Sequence, residues 1–419
     1  MLRLPTENTS DKEKKMEHWN EAKIKDFAEV KGGKRLPKGK QLIKEPNSHP
    51  YIRIRDLGKT KYLQLNSEYE YVDDETHQSI ARYIVNKGDI LISVVGTIGL
   101  IGIVGETLDK ANQTENCDKI INIKNVLPEY LYYYLISSFG QDEIRKGTVG
   151  AVQPKLPLKN VQDITIFYPS IEEQERIVNI LSSVDEKIEM NNAINNNLQQ
   201  QIQTLFADWI LTNRQSATEV ALSEVCIKVT DGSHFSPKDD PASSIPMLSV
   251  KNMREFDFDL TSCKHICDED YEKMVANDCV PQVNDILVAK DGSYLKEIFI
   301  CNEQRKIAIL SSIAIFRPDT TIIHPEILLA FFKSPHVLRE VRDNYVSGSA
   351  LPRIVLKDFK KLTFALPNMD IQNQIAPLFA SVREQIAVNV AENKYLAQLR
   401  DTLLPKLMSG EVSVDSIRL

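Results

Sequence analysis

The stretch SIEEQERIVNILSSVDEKIEMNNAINNNLQQQIQTLFADW, residues 170–209, sets how the rest of the chain is read. It opens on Ser170-Ile-Glu-Glu173, a capping-box pattern in which a serine hydroxyl and a glutamate three residues on satisfy the free amides of a helix start. Apolar residues then recur in steps of four and three: Ile177, Leu181, Val184, Ile188, and later Leu198, Ile202, Leu205 and Trp209. That spacing is a heptad seam. Two seam positions, Asn191 and Asn195, are polar. Neither Pro nor Gly interrupts the run, so the spacing predicts one helix, roughly 60 Å long at about 1.5 Å per residue. A helix of that length needs a partner.

The partner is a second copy 198 residues later: Ile375, Phe379, Val382, Ile386, Asn389, Asn393, Leu396, Arg400, Leu403 and Leu407. The paired asparagines recur, and the expectation is that Asn191, Asn195, Asn389 and Asn393 set the register of a coiled coil, because a buried Asn trades stability for specificity. The lead-in recurs too. Pro154-Lys-Leu-Pro-Leu-Lys159 matches Pro352-Arg-Ile-Val-Leu-Lys357, and Pro169 matches Pro367. Pro377 departs from the first copy and predicts a kink or a delayed start.

Composition bounds the rest. A chain of 419 residues holds two or three domains. Its 42% hydrophobic and 26% charged residues are ordinary for a globular protein. A net charge of −7 excludes a polycation, so nucleic-acid binding would rest on local patches. Six scattered cysteines show no paired framework and point to a reducing cytoplasm. The polar start carries no signal peptide, and the uncharged run Ile90–Gly105 is too short to span a bilayer and reads as two strands joined at a glycine turn.

In order, residues 1–20 read as a flexible charged leader and 21–168 as a first mixed α/β domain. Within it, Tyr51–Arg55 alternates like a strand, Asp89–Val95 is an apolar strand, Pro128–Ser138 is a helix with proline at its start, and Val161–Tyr168 closes as a strand. A first spacer helix occupies 169–212 and a polar linker 213–220. The second domain, 221–367, replays the order through Pro246–Lys251, Asp285–Lys290, Pro325–Lys333 and Leu362–Leu366. A second spacer helix spans 368–410 and a tail 411–419. The fold class expected is α+β: two tandem mixed domains separated by two long helices that pair as an antiparallel coiled coil with pseudo-twofold symmetry. Such an object suits duplex DNA, where symmetric readers meet half-sites at helical spacing.

These features together resemble the specificity subunit of a type I restriction–modification system. The resemblance covers Glu21 to Val412. Its carriers are the two-copy layout; the turns Gly150-Ala-Val-Gln-Pro154 and Gly348-Ser-Ala-Leu-Pro352; the helix starts containing Gln174 and Gln372; the ending Leu403-Leu-Pro-Lys-Leu-Met-Ser-Gly-Glu411; and Thr230-Asp-Gly-Ser-His234, which is similar to the opening of many target-recognition domains. The resemblance implies that each domain is a target-recognition domain reading one half of a split double-stranded DNA target, and that the helices set the gap. It also implies docking to two methyltransferase (modification) subunits and two restriction subunits, with no membrane. The chain itself would be non-catalytic and carry no cofactor, S-adenosylmethionine, ATP and Mg being expected on the partner subunits.

Candidate DNA contacts follow. Lys23–Lys61 holds twelve Lys/Arg against four Asp/Glu. Lys31, Lys34, Arg35, Lys38 and Lys40 flank Gly32-Gly33, where backbone and side chains together would approach phosphates. Arg53 and Arg55 share a strand face, for bidentate guanine contact or surface ion pairs. The matching part of the second domain is acidic on balance, and its candidates are Thr230, Ser233, His234, Lys238, Lys251 and Asn252, followed by Lys290, Ser293, Tyr294 and Lys296. Lys155 and Arg353 mark the loops 147–155 and 347–353, which are either DNA-contacting or plain turns. Exposed Phe206, Trp209 and Leu404 would offer a subunit-docking surface.

Other chemistries fit less well. Cys263-Lys-His-Ile-Cys267 with Cys279 and Cys301 lacks a recognised zinc spacing, and no metal is expected. Gly33–Gln41 fails the phosphate-loop pattern, and no Gly-rich cofactor or methyltransferase motif is present. Asp185-Glu-Lys187 lies inside the heptad helix, where such residues are ordinary flanks. The alternative class is a coiled-coil scaffold that binds only protein. The strong divergence of the two domains beside the likeness of the helices favours DNA reading.

Overall fold

The computed structural model describes residues 19–292, 295–347 and 353–417. Residues 1–18 of the expected leader 1–20, Ser293 and Tyr294, and the turn 348–352 lie outside the described residues, and Asn20 already begins a strand. The chain divides into two units, one running to Ile188 and resuming at Tyr395, the other spanning Glu189–Lys394. Each long helix therefore contributes to both: the first runs Ile171–Thr212 and the second Met369–Met408.

The first unit is built on a five-stranded sheet in the order Glu29–Gly32, Cys117–Ile121, Ile90–Ser93, Ile101–Val104, Tyr62–Leu63. Strand Ile90–Ser93 is apolar on both faces because the sheet is covered on both. Ile90 and Ile92 face the larger core, while Leu91 faces a second cluster with Ile52 and Leu63. The run Ile90–Gly105 is an antiparallel pair, Ile90 opposite Ile103, turned through Gly99 at φ +87°. A smaller sheet sets Pro50–Ile52 antiparallel to Glu70–Tyr71 and parallel to Asn112–Gln113. Helix Pro128–Ile136, with proline in its first turn, buries Tyr130 and Tyr133. Ile177 and Leu181 from the first long helix and Leu403 and Leu407 from the second complete this core.

The second unit repeats the plan. Its four-stranded sheet runs Cys226–Asp231, Ile313–Pro318, Ile286–Ala289, Ile298–Ile300. Beside it, Ile245–Leu248 lies antiparallel to Lys264–Ile266 and parallel to Ala308–Ile309. Asn20–Lys23 pairs with Thr165–Tyr168 in the first unit, as Ala217–Ala221 pairs with Thr363–Pro367 in the second. Phe316, Phe332 and Phe359 form the aromatic centre, with ring centroids 4.7–5.7 Å apart.

Within each unit the helices run antiparallel. In the second, Asn191 Nδ2 donates to Asn393 Oδ1 at 2.9 Å and Asn389 Nδ2 to Asn195 Oδ1 at 2.7 Å. In the first, Asp185 meets Arg400 at 3.0 Å and accepts from Tyr133 Oη at 2.6 Å. The seam asparagines thus meet one another, while Asp185, expected as an ordinary flank, is buried beside the seam and held by Arg400 and Tyr133.

Several local expectations change. The seam passes through buried Phe206 rather than Leu205, which is 42% exposed, because the helix keeps 3.6 residues per turn and drifts from a strict 3.5 repeat. Phe206, Trp209 and Leu404 are all buried in the cores and offer no docking surface. The second helix starts on schedule at Met369 and passes through Pro377, where buried Ala376 and Phe379 anchor it on either side. Tyr51–Arg55 is a strand only to Ile52, because the Asp56 carboxylate accepts from Arg53 N at 2.7 Å and turns the chain into a short 3₁₀ helix. The closing strand begins at Thr165, after a short helix Leu158–Gln162. The polar linker gives way to strand at Ala217. Among the described residues no helix is long and apolar enough to cross a membrane.

Candidate nucleic-acid interface

The two units present comparable loops on comparable supports. Gln174 and Gln372 are both fully buried. Gln174 accepts from Leu127 N at 2.9 Å and donates to Pro169 O at 3.0 Å. Gln372 accepts from His324 N at 3.1 Å and donates to Pro367 O at 2.8 Å. Each glutamine ties its long helix to the residue that caps the proline-started helix of its own unit. The same correspondence holds for Lys155 and Arg353. Leu156 N donates to Val94 O at 2.9 Å and Ile354 N to Lys290 O at 3.0 Å. Both cations are thereby set, exposed, beside the end of an apolar central strand.

The glycines of the two candidate loops serve the protein's own packing. A Cβ on Gly33 would lie 1.9 Å from Thr114 O, and one on Gly232 would lie 2.3 Å from Ile309 O. In each unit the chain leaves its first sheet strand by crossing tightly over a neighbouring carbonyl, which only glycine permits. The close backbone approach expected at Gly32-Gly33 is therefore made to the protein's own chain.

The basic stretch of the first unit is partly neutralised within the molecule. Lys31 pairs with Glu29 at 2.9 Å, Arg35 with Glu115 at 2.7 Å, and Lys40 with Glu75 at 2.6 Å and Asp73 at 3.1 Å. Hydrogen bonds from Thr76, with Lys40 adding, hold the Asp73 carboxyl down to about 2. Lys40 thus clamps a helix start and is half-buried. Arg35 stays open, its side chain 82% exposed, and Lys34 and Lys38 are exposed. Arg53 and Arg55 do not share a strand face. Arg53 is half-buried against Glu70, while Arg55 donates to Glu68 O at 2.8 Å from the 3₁₀ turn.

In the second unit three expected contacts turn inward. Lys290 is buried and bonds the Asp231 carboxylate. Ser233 is buried and closes on its own loop, donating to Phe235 O at 2.7 Å. Asn252 is buried and accepts from Ser249 N at 3.0 Å, the role Asp56 plays in the first unit. Each is a short polar side chain satisfied by a turn, or a cation held by a carboxylate, because burial penalises any other arrangement. Thr230 sits half-buried in strand Cys226–Asp231. His234, 3.4 Å from Asp231, stays outside with Lys238, Lys251 and Arg353. Lys290, Asp231, His234 and Arg353 are gathered around one strand end.

Sequence reasoning missed two exposed apolar residues on these loops. Val152 is 94% exposed near Lys155, and Phe235 is 62% exposed beside His234. Apolar residues read as core by default, and no periodicity marked these two as loop tips. Cys279 and Cys301 are buried, and burial pushes the Cys301 thiol up to about 11. Cys263 and Cys267 are half-exposed, and among the described residues no cluster of three His, Cys, Asp or Glu side chains is arranged for a metal ion.

Residues 16–200 match the family model described as the type I restriction modification DNA specificity domain. The chain is similar to the type I restriction enzyme MjaIX specificity subunit of Methanocaldococcus jannaschii, 25% identical over 95% of this chain and 94% of that one. It is similar to the HindI specificity subunit of Haemophilus influenzae, 22% identical over 87% and 95%. It also matches the EcoR124I/EcoR124II specificity subunit of Escherichia coli, 31% identical over 41% of each chain. Among solved structures, the S subunit of a type I restriction–modification system from M. genitalium aligns over 93% of this chain and 96% of that one, at 16% identity with a TM-score of 0.49.

Proposed function

We propose that this chain, similar along most of its length to type I restriction enzyme specificity subunits, is the non-catalytic subunit that selects the DNA sequence for a type I complex. Each unit reads one half of a bipartite target, and the paired long helices set the gap between the halves. The observation that carries this reading is the pairing of one frame with two unlike surfaces. Gln174 and Gln372, and Lys155 and Arg353, occupy equivalent places in the two units, while the loops beside them carry different side chains. A common support with divergent readers is what an asymmetric split target requires.

The proposed contacts are exposed side chains: Lys34, Arg35, Lys38 and Lys155 in the first unit, and His234, Lys238, Lys251 and Arg353 in the second. With a net charge of −7, binding rests on these local patches and falls steeply with salt. Methyltransferase and restriction subunits supply the chemistry, S-adenosylmethionine, ATP and Mg being bound by them.

The test is methylation mapping of host DNA when the chain is co-expressed with its methyltransferase subunit. A split motif of two unlike halves with a fixed non-specific gap is expected, and exchanging one unit's recognition residues reassigns one half only. A complex that methylates no motif, with a purified chain that fails to bind duplex DNA at low salt, would overturn the proposal in favour of a protein-only scaffold.

A further inference from the structure

Within the second unit lies a cavity of about 480 Å³, bordered by both long helices, helix Pro325–Lys333 and strand Ile298–Ile300. That size falls in the range of small-molecule pockets. Its walls are apolar, with Ile202, Phe256, Phe299, Leu329, Phe379 and Ile386 among them.

The polar groups that border this cavity are unequally satisfied. Arg305 closes on Asp257 through two hydrogen bonds of 2.7 and 3.0 Å, and Lys394 reaches the same carboxylate. Arg383 Nη2 lies 2.9 Å from Glu326, a carboxylate only 8% exposed. Lys333 differs. Among the described residues no carboxylate stands within ion-pair distance of its ammonium. It donates to the amide oxygen of Gln199 and lies 5.5 Å from the centroid of the Phe256 ring, while Glu255 and Glu297 act on it only from farther away. Two polar atoms of cavity-lining side chains are buried with no hydrogen-bond partner among the described residues: Gln203 Oε1, an acceptor, and Arg383 Nε, a donor. Buried polar atoms are ordinarily paired, so two unsatisfied at one cavity call for an explanation.

We infer that this cavity is a binding site for a small amphipathic anion. An aromatic or fused-ring body fills the apolar space. One carboxylate, sulfonate or phosphate group meets Lys333 and Arg383 Nε, and an N–H or O–H on the body donates to Gln203 Oε1. Charge complementarity selects this class. Of the four cations at the cavity, Lys333 alone has no carboxylate partner, so an anion completes the set and a cation is repelled. A purely apolar guest leaves the unpaired donor and acceptor as they are.

The probe is 8-anilinonaphthalene-1-sulfonate, titrated by fluorescence into the full chain. It carries two ring systems, one N–H and one sulfonate. N-phenyl-1-naphthylamine is the control, with the same rings and N–H but no charge. One saturable site per chain is expected, with the sulfonate bound about tenfold more tightly than the neutral probe, as one charge-assisted hydrogen bond provides. Lys333→Met removes that preference and leaves the neutral probe's affinity unchanged. Ala387→Trp, which places an indole in the cavity, abolishes the site for both probes; circular dichroism verifies that each variant is folded, and Lys333→Met alone decides if Ala387→Trp is not. The inference is overturned if no saturable site exists, if both probes bind equally to the unsubstituted chain, or if Lys333→Met leaves sulfonate binding unchanged.

Discussion

Asp118 in the first unit is buried without a charge partner, and replacing it tests what that costs. It lies in strand Cys117–Ile121, opposite Gly32 on one side and Ile92 on the other. It is 5% exposed, and its Oδ2 has no hydrogen-bond partner among the described residues. Burial alone pushes its carboxyl from the ordinary 3.8 up to about 6. The matching position of the second unit, between Val288 and Asp231, is Ala314. There the carboxylate has moved across the ladder to Asp231, where Lys290 receives it. The sheet itself therefore requires no carboxylate at this position. Because folding raises the group's pKa above its unfolded value, the stabilising effect of protonation is fully present below about pH 3.8 and is lost as pH rises through about 6. At about 1.36 kcal/mol per pH unit, the penalty carried at pH 8 is about 3 kcal/mol, an upper bound. At pH 5 it is about 1.5 kcal/mol. Asp118→Asn mimics the protonated acid, so the variant should gain about 3 kcal/mol at pH 8 and about half of that at pH 5. Urea unfolding reads the difference through Trp19, which packs on the first unit's core, in a Trp209→Phe background that silences the second unit. A variant that is less stable at pH 8, or a gain that does not change with pH, would refute the reasoning.

Four further outcomes are expected. Gln174→Leu strips the partners from Leu127 N and Pro169 O and should cost about 2–4 kcal/mol, with amide exchange at Leu127 accelerated; normal protection at that amide would count against the anchoring role. In the helix pair, Asn389→Leu alone leaves Asn195 Oδ1 without its partner and should cost about 1–3 kcal/mol, whereas Asn195→Leu with Asn389→Leu should recover that loss; additive single effects in denaturant melts would sink the idea. Lys155→Ala and Arg353→Ala should each weaken binding to all duplexes alike and lower the slope of log K against log salt by about 1; a loss confined to one sequence would mark the residue as a base reader instead. Deleting one matched heptad from both long helices, about 10.5 Å of rise, should shorten the gap in the methylated motif by about three base pairs and leave both half-sites as they were. An unchanged gap in that map rules out a helical ruler.

The repeat was open to sequence reading because heptad spacing and fixed offsets survive divergence. Ile177, Leu181 and Val184 are buried where their spacing put them, and the paired asparagines of the two helices bond one another. The strands Ile90–Ser93 and Ile286–Ala289 were equally legible, since a continuous run of apolar residues, which points to both faces, marks a strand covered on both sides. Local turn chemistry was harder. Asp56 and Asn252 each accept from a backbone amide three residues earlier, so Arg53 left the strand face expected for it and Asn252 turned inward.

What residue order alone determined about this protein is its periodic part: two helices, two copies, and the short elements ahead of each helix. These follow from spacing, which is local information. Tertiary structure decided which charges are available. Lys40, Arg53 and Lys290 are tied to carboxylates 33, 17 and 59 residues away in sequence, and Lys155, Arg353 and His234 remain exposed. No one-dimensional pattern carries that distinction, because a cation's partner is chosen by the path of the chain in space and by the cost of burying a charge unpaired. The cavity around Lys333 has the same origin, being assembled from segments more than a hundred residues apart that meet only when the second unit is folded.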